Sequence, residues 1–333
     1  MEFLGPIIAV IFIIIVARLL LKNYNAHAVL LICGMLMLLA AYFIPGHEPF
    51  KNNTGFIGFD IVSGIKNSFV KINADVGLMI MAIGGFVAYI DKIGASQSLV
   101  YLALKPLSLF KKQPYIAASL VIPIAQLLFI CVPSAAGLAL LLMASVFPIL
   151  VNLGVSRLAA VAVITAGTAV GIGPASATTV SSASIMEISP VSVFVNFQIL
   201  PAIVVNIVMM VAFYFVNTIS DKKAGLTPEI TNREDIKPTA PLYYGIIPIL
   251  PLILLIVFSD MFDFFPQKIQ IDTTTAMFVS LFVAMLLEFI RKRNLKELFG
   301  SLDIFWGGMS SMFKSVVTLI IAADIFAQGL ISL

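Results

Sequence analysis

The chain has 333 residues, of which 60% are hydrophobic and only 11% charged; its formal net charge is +3 and its mean hydropathy +1.08. A soluble domain carries about a quarter charged residues, so this composition cannot build a water-facing surface, and lipid must be the solvent for most of the chain. A nucleic-acid partner is excluded as well, because no basic patch with interleaved aromatics is present.

Apolar stretches able to cross about 30 Å of hydrocarbon as helix run over residues 5–22, 27–44, 76–91, 157–173, 198–217, 244–258, 273–290 and 314–333. The first opens directly from the N-terminus with Glu2 and no basic flank, which reads as a retained span and not a cleaved signal peptide. Cys33 and Cys131 lie in apolar runs with no partner at metal or redox spacing and read as small buried hydrophobes. His27 and His47 fall at span edges and read as solvated. Between residues 114 and 152 a longer apolar run is interrupted by Val132-Pro133-Ser134-Ala135-Ala136-Gly137. It predicts either two full spans or one re-entrant hairpin, and both return the chain to its starting side. Pro123 and Pro148 are expected to kink their helices. Segments 50–72 and 97–110 alternate apolar and polar residues at helical spacing, which predicts amphipathic helices lying in the interface. Residues 220–241 form the one truly polar stretch, a natural linker.

Basic residues set the orientation, since cytoplasmic loops carry an excess of Lys and Arg. With the N-terminus outside, every Lys and Arg falls on the inside except Lys51, Lys66, Lys71 and Lys268. An internal repeat of opposite topology is also legible. Phe59-Asp60-Ile61-Val62-Ser63-Gly64 resembles Leu302-Asp303-Ile304-Phe305-Trp306-Gly307, and Ile80-Met81-Ala82-Ile83-Gly84-Gly85-Phe86 resembles Ile320-Ile321-Ala322-Ala323-Asp324-Ile325-Phe326. Met37-Leu38-Leu39 and Met285-Leu286-Leu287 occupy corresponding places upstream. The expected organisation is a first transmembrane repeat at 1–219, a cytoplasmic linker at 220–241 and an incomplete second repeat at 242–333. The fold class is an all-α polytopic membrane protein, an inverted-repeat secondary transporter with a hairpin and a broken helix.

Two stretches of small and hydroxyl residues interrupt apolar helices: 132–137, and Gly171-Ile172-Gly173-Pro174-Ala175-Ser176-Ala177-Thr178-Thr179. Pro and Gly break the helix there, and irregular backbone at membrane depth survives only where protein buries it or a cavity adjoins it. Each break is followed by a new helical run, so each presents a helix N-terminus with free N–H groups and a positive dipole end. Ser134 and Ser176 are the expected N-caps. Such an arrangement favours a small carboxylate without any buried Lys or Arg, and a doubly charged solute would profit from a coupled cation, H+ or Na+. Ser134, Ala135, Gly137, Gly173, Ser176, Thr178 and Thr179 are the candidate substrate-binding residues. Close helix packing by small residues is the competing reading, above all for Ser181, Ser182 and Ser184. Asp324, a carboxylate inside an apolar run whose repeat partner is Gly84, is the candidate for ion coupling. Gln126 and Asn196 either line a pathway or bond across helices. No HExxH pair, GxSxG elbow, Walker loop, paired His and Cys, or midplane Lys is present, so the sequence does not read as an enzyme and calls for no cofactor.

Several stretches, taken in order, resemble the DcuC-type anaerobic C4-dicarboxylate transporter family: IVARLLLKNYNAHAVLL, GLMIMAIGGFVAYIDKIGAS, AAGLALLLMASVFPILVNLGVSR, DKKAGLTPEI, LLEFIRKRN and AADIFAQGL. The resemblance covers essentially the whole chain. It implies uptake, exchange or efflux of fumarate, succinate and similar acids across the bacterial inner membrane during anaerobic growth. It also implies a fold in which two hairpin tips and two broken helices build one midplane site, with the first tip at 133–137 and the first broken helix at 173–179. Pro133 stands where the family leads one to expect a hydroxyl residue, Ala136 where a Thr is expected, and no acidic residue lies near Thr178. Family members continue beyond the point matching Leu333, so half of such a site is expected here. A homodimer or a complementing C-terminal fragment is the corresponding partner expectation. The alternative is an inactive remnant, or a subunit that needs another chain.

Overall fold

The computed structural model describes residues 4–44, 54–105, 113–223, 238–258, 269 and 271–333. His47, Lys51, Lys111, Lys112, Arg233, Lys237, Asp260, Asp263 and Lys268 lie outside them. Every regular element among the described residues is helical: α1 (Leu4–Leu21), α2 (Ala26–Tyr42), α3 (Ile57–Ile72), α4 (Leu78–Lys92), α5 (Ala95–Leu104), α6 (Pro114–Cys131), α7 (Ala135–Asn152), α8 (Arg157–Ala169), α9 (Ala177–Met186), α10 (Pro190–Val193), α11 (Ile199–Lys223), α12 (Leu250–Val257), α13 (Thr273–Lys292), α14 (Leu295–Met312) and α15 (Thr318–Ser332). Six of these helical stretches are long and apolar enough to cross a membrane, and a seventh if α4 and α5, bent by 76° at Gly94, count as one broken span. The chain divides into two compact units, Met1–Met81 with Ser310–Leu333, and Ala82–Met309.

In the first unit, α15 lies along α2, and Val16, Val29 and Cys33 form a core with Phe12, Leu19, Leu30 and Phe326 packed against it. Between lipid-facing helices no hydrophobic force acts, so association depends on close backbone approach at small residues. Gly34 and Gly329 supply it. A methyl on Gly34 would meet the Phe326 backbone nitrogen at 2.7 Å, and one on Gly329 would meet the Gly34 carbonyl oxygen at 2.8 Å.

Segment 50–72 was expected to form a separate interfacial helix, but its described part, from residue 54 on, differs. Helix α3 runs through a single π turn, Asn73–Gly77, directly into α4. The same device recurs at Phe313–Val317, joining α14 to α15 in one continuous 38-residue helix. Neither 57–92 nor 295–332 contains a proline, so an extra residue widens one turn and the helix continues with its hydrogen bonds intact. These two π turns are 240 positions apart (313 − 73), and a third, Phe194–Gln198, joins α10 to α11. The interval of 240 is also the separation of Ile80 and Ile320 (320 − 80), which head one of the expected repeat pairs. Within the first unit the turns face each other, and a methyl on Gly77 would touch Val317 Cγ1 at 3.1 Å.

In the second unit, the run 114–152 folds as two 18-residue helices, α6 and α7, joined by the short turn 132–134, with Pro123 and Pro148 inside them. Helix α8 packs on both, and α11 lies along α6. The stretch expected as a plain span at 244–258 begins instead as a 3-10 helix, Leu242–Ile249. Pro248 and Pro251 remove two N–H donors and disfavour α backbone at the residues before them, so the α-helix is established only at α12. Tyr244, fully buried in this segment, donates to Glu288 Oε2 at 2.8 Å. Arg291 and Lys292 each approach Glu288 Oε1 at 3.0 Å, and the Arg291 guanidinium stacks 4.9 Å from the Tyr244 ring centroid.

Two stability predictions follow from this packing. Gly329→Leu should cost about 1–3 kcal/mol through overpacking, whereas Gly307→Ala, which meets nothing within 4 Å, should leave the melting temperature level or raise it. Thermal unfolding in detergent reads both. Tyr244→Phe leaves Glu288 one donor short and should cost about 1.5–3 kcal/mol, read by the same measurement.

Candidate functional site

The hairpin tip is built by Pro133 and Ser134. Ser134 takes extended backbone (φ −133°, ψ 101°), and its Oγ accepts from the Gly137 N–H at 3.2 Å while its carbonyl accepts from Leu138 at 2.8 Å. Ser134 therefore caps α7, as its residue type and position predict. The next two residues, Ala135 and Ala136, are exposed, and their amides have no partner among the described residues. They are the orphan donors that any helix start leaves.

The second break falls at 170–176, between α8 and α9. Gly173 sits at φ +145°, backbone that a side chain rarely tolerates, and a methyl there would also meet Ile130 Cα at 3.3 Å. Ser176 occupies the N-cap position of α9, but its hydroxyl does not cap the helix. It turns back and donates to the Gly171 carbonyl at 2.8 Å, joined there by the Thr178 hydroxyl at 3.2 Å. The physical cause is the break itself, which leaves the Gly171 carbonyl without its helical donor. The start of α9 consequently has no side-chain cap, and its first amides stay open. Thr178 is exposed, whereas Thr179 is wholly buried and donates to Gln198 Oε1 at 2.9 Å.

The break lies against the end of α6. A methyl on Gly171 would touch Phe129 Cζ at 3.4 Å, and Gly173 lies against Ile130, so the break packs on the turn of α6 that leads into the tip. Of the candidate residues, Ser134, Ala135 and Gly137 thus form the tip, and Gly173 with Ser176 and Thr178 the break that packs on the last turn of α6 before it. Thr179 is committed to the contact with Gln198. Asp324 belongs to the other compact unit, where its Oδ2 accepts from Gln328 Nε2 at 2.6 Å and Gln328 also donates to Ser68 at 3.0 Å. Among the described residues, α6 and α9 carry no Lys, Arg or His, α7 carries none, and Arg157 stands only at the far end of α8. Anion affinity here would come from amide dipoles.

Two side chains join this region that the sequence did not single out as its members. Gln126, on α6 one turn before Ile130, is 5% exposed and neither amide atom has a partner. Asp91, read as a span edge because Lys92 follows it, comes within reach of the tip. A methyl on Gly137 would meet Asp91 Oδ2 at 3.3 Å and Ser134 Oγ at 2.9 Å. Nothing in the linear spacing of residues 91 and 137 signals this contact. A cavity of about 360 Å³ opens elsewhere, between Lys92, Glu288, Arg291, Lys292 and Glu297, and does not include the tip or the break.

Comparison with known proteins agrees with this architecture. The family profile described as "C4-dicarboxylate anaerobic carrier" matches residues 4–333. The anaerobic C4-dicarboxylate transporter DcuC of Escherichia coli K12 is 34% identical over 333 residues, covering 99% of this chain and 71% of that protein. The corresponding protein of Escherichia coli O6:H1 is 35% identical with the same coverage. The probable anaerobic C4-dicarboxylate transporter DcuC of Vibrio cholerae is 35% identical over 319 residues, covering 94% of this chain and 68% of that one. No solved structure matches. The chain belongs to the DcuC family of C4-dicarboxylate anaerobic carriers.

Proposed function

We propose that this protein carries C4-dicarboxylates such as succinate and fumarate across the bacterial inner membrane by secondary transport, and that the tip and the break hold the substrate. The observation that carries the reading is a pair of uncapped or partly capped helix starts on helices without a basic side chain near them, the break before one packed on the last α6 turn that leads to the other. A dicarboxylate has two anionic ends, and α7 and α9 offer two sets of amides. One carboxylate would take the Ala135 and Ala136 N–H groups with the Ser134 hydroxyl; the other would take the first amides of α9 with Thr178. Gly173 lets the backbone reverse where it packs on α6, and Ser176 fixes that reversal through the Gly171 carbonyl. No bond is made or broken in the substrate, so the site needs only to bind, dehydrate and release it. Coupling to H+ or Na+ is part of the proposal. So is association with a second chain, as a homodimer or with a complementing fragment; cross-linking in membranes tests that part.

Counterflow of labelled succinate in proteoliposomes holding the 333-residue chain tests the function. Exchange with unlabelled succinate and fumarate, but not with a monocarboxylate, is expected; absence of exchange by folded protein would overturn it. Within that assay Ser134→Ala and Thr178→Ala should each raise the apparent KM about tenfold or more, the scale of one hydrogen bond to a charged group. An unchanged KM in both variants would remove these residues from the site. Gly173→Ala should abolish exchange, because the break cannot keep φ +145° with a side chain.

A further inference from the structure

We propose that Asp91 is the proton-binding group of the hairpin tip, holding substrate out when ionised and admitting it when neutral. The inference rests on the assignment of the tip as part of the substrate site. Asp91 is in the last turn of α4, and its Oδ2 shares one small space with Gly137 and the Ser134 hydroxyl. Its other oxygen, Oδ1, is buried beside the Ser96 hydroxyl at the start of α5, which can donate to it. A carboxylate so enclosed, with hydroxyls as its near partners, holds its charge at a cost.

The surroundings decide what meets that charge. Helix α7 brings no titratable side chain to Asp91, and α5 brings only Tyr101. On α4 itself stand Tyr89, which is fully buried, and Lys92, which is exposed and lines the separate cavity. Across that cavity Arg291 and Lys292 are engaged by Glu288, and Lys292 also by Glu297. No described cation therefore pairs with Asp91. A metal cation would need several oxygen ligands, whereas one carboxylate and two hydroxyls converge here. A proton needs one.

The consequence for transport is electrostatic. An ionised Asp91 beside the first turn of α7 takes the favourable place at the positive end of that helix. A dianion arriving there meets a like charge in a medium of low dielectric, where such repulsion is strong. Protonation removes the charge and frees the amides. By linkage, substrate then raises the affinity for the proton by the same factor as the proton raises the affinity for substrate, so the two cross together. Only a proton moves on and off the Asp91 carboxylate, and water supplies and accepts it on either side.

The test uses the whole chain in proteoliposomes with fumarate, whose carboxyls stay ionised between about pH 6 and about pH 8. With wild-type protein the apparent KM should rise with pH, approaching about tenfold per unit once the acid is ionised. Asp91→Asn, shaped like the neutral acid, should show a KM that no longer depends on pH and should lose accumulation driven by a pH gradient, with exchange persisting at a reduced rate. A wild-type pH dependence in folded Asp91→Asn protein would overturn the proposal. So would a pH dependence that vanishes in Asp324→Asn instead, or accumulation that follows a sodium gradient. A measurement on unmutated protein keeps the question open to refutation if the variant does not fold: fumarate added to purified protein should draw about one proton per molecule bound from a weakly buffered, dye-monitored solution. No uptake alongside demonstrated binding rules Asp91 out. Failure of wild-type protein to exchange fumarate at all would count against the transport reading and not against this assignment.

Discussion

Inside a bilayer every backbone N–H and C=O must find a partner within the protein, and that rule governs the stretch from Val170 to Ser176. A helix broken there orphans the Gly171 carbonyl. Two hydroxyls, from Ser176 and Thr178, answer it at 2.8 and 3.2 Å. Because the hydroxyls are spent on the carbonyl, they are not spent on the amides that open α9. The break thereby satisfies its acceptor and leaves its donors unmet, which is the polarity an anion requires. The hairpin reaches a similar end by another route: Ser134 caps one amide, Gly137, and leaves two.

The framework that holds these openings follows from the same shortage of driving force in lipid. Where apolar surface gains nothing by leaving the solvent, helices adhere through contact area and backbone proximity. The close approach of α2 and α15 at Gly34 and Gly329 is one case, and the approach of Gly167 on α8 to Ala125 on α6 is another, with only 2.5 Å for an added methyl. Polar support is confined to a few places. The Tyr244–Glu288–Arg291–Lys292 cluster is one, and it stands at the helix ends that the distribution of Lys and Arg assigns to the cytoplasmic side.

Much of this was legible in the residues. Apolar runs located the long helices, while 27–44, 157–173 and 244–258 fall on shorter apolar ones; the combination of Pro, Gly and Ser located both breaks, since those residue types act on the backbone locally. What failed to show was whatever depends on a partner far along the chain. Ser176 looked like a cap because its neighbours fit one; only the orphaned Gly171 carbonyl diverts it. Asp91 was read as the end of the span 76–91, and its approach to Gly137 accompanies the packing of α5 against α7. Residues 50–72 looked amphipathic and separate, yet an α-helix can absorb an extra residue without ending, and hydrophobic periodicity does not distinguish the two. The 3-10 stretch at 242–249 was readable in principle from Pro248 and Pro251, whose missing donors the apolar run had masked.

The π turns bear on how the helices beyond them are placed. A wide turn absorbs one surplus residue, so the helix beyond it keeps the angular phase it would have without that residue. Helix α15 meets α2 along the stripe that contains Gly329 while the wide turn at 313–317 holds. Tightening that turn to regular α-helix with every residue kept would advance all that follows by about 100° and swing Gly329 about a quarter-turn off the Gly34 backbone. Local regularity and global fit are thus opposed at this point, and the packing of Gly329 against Gly34 favours the wide turn.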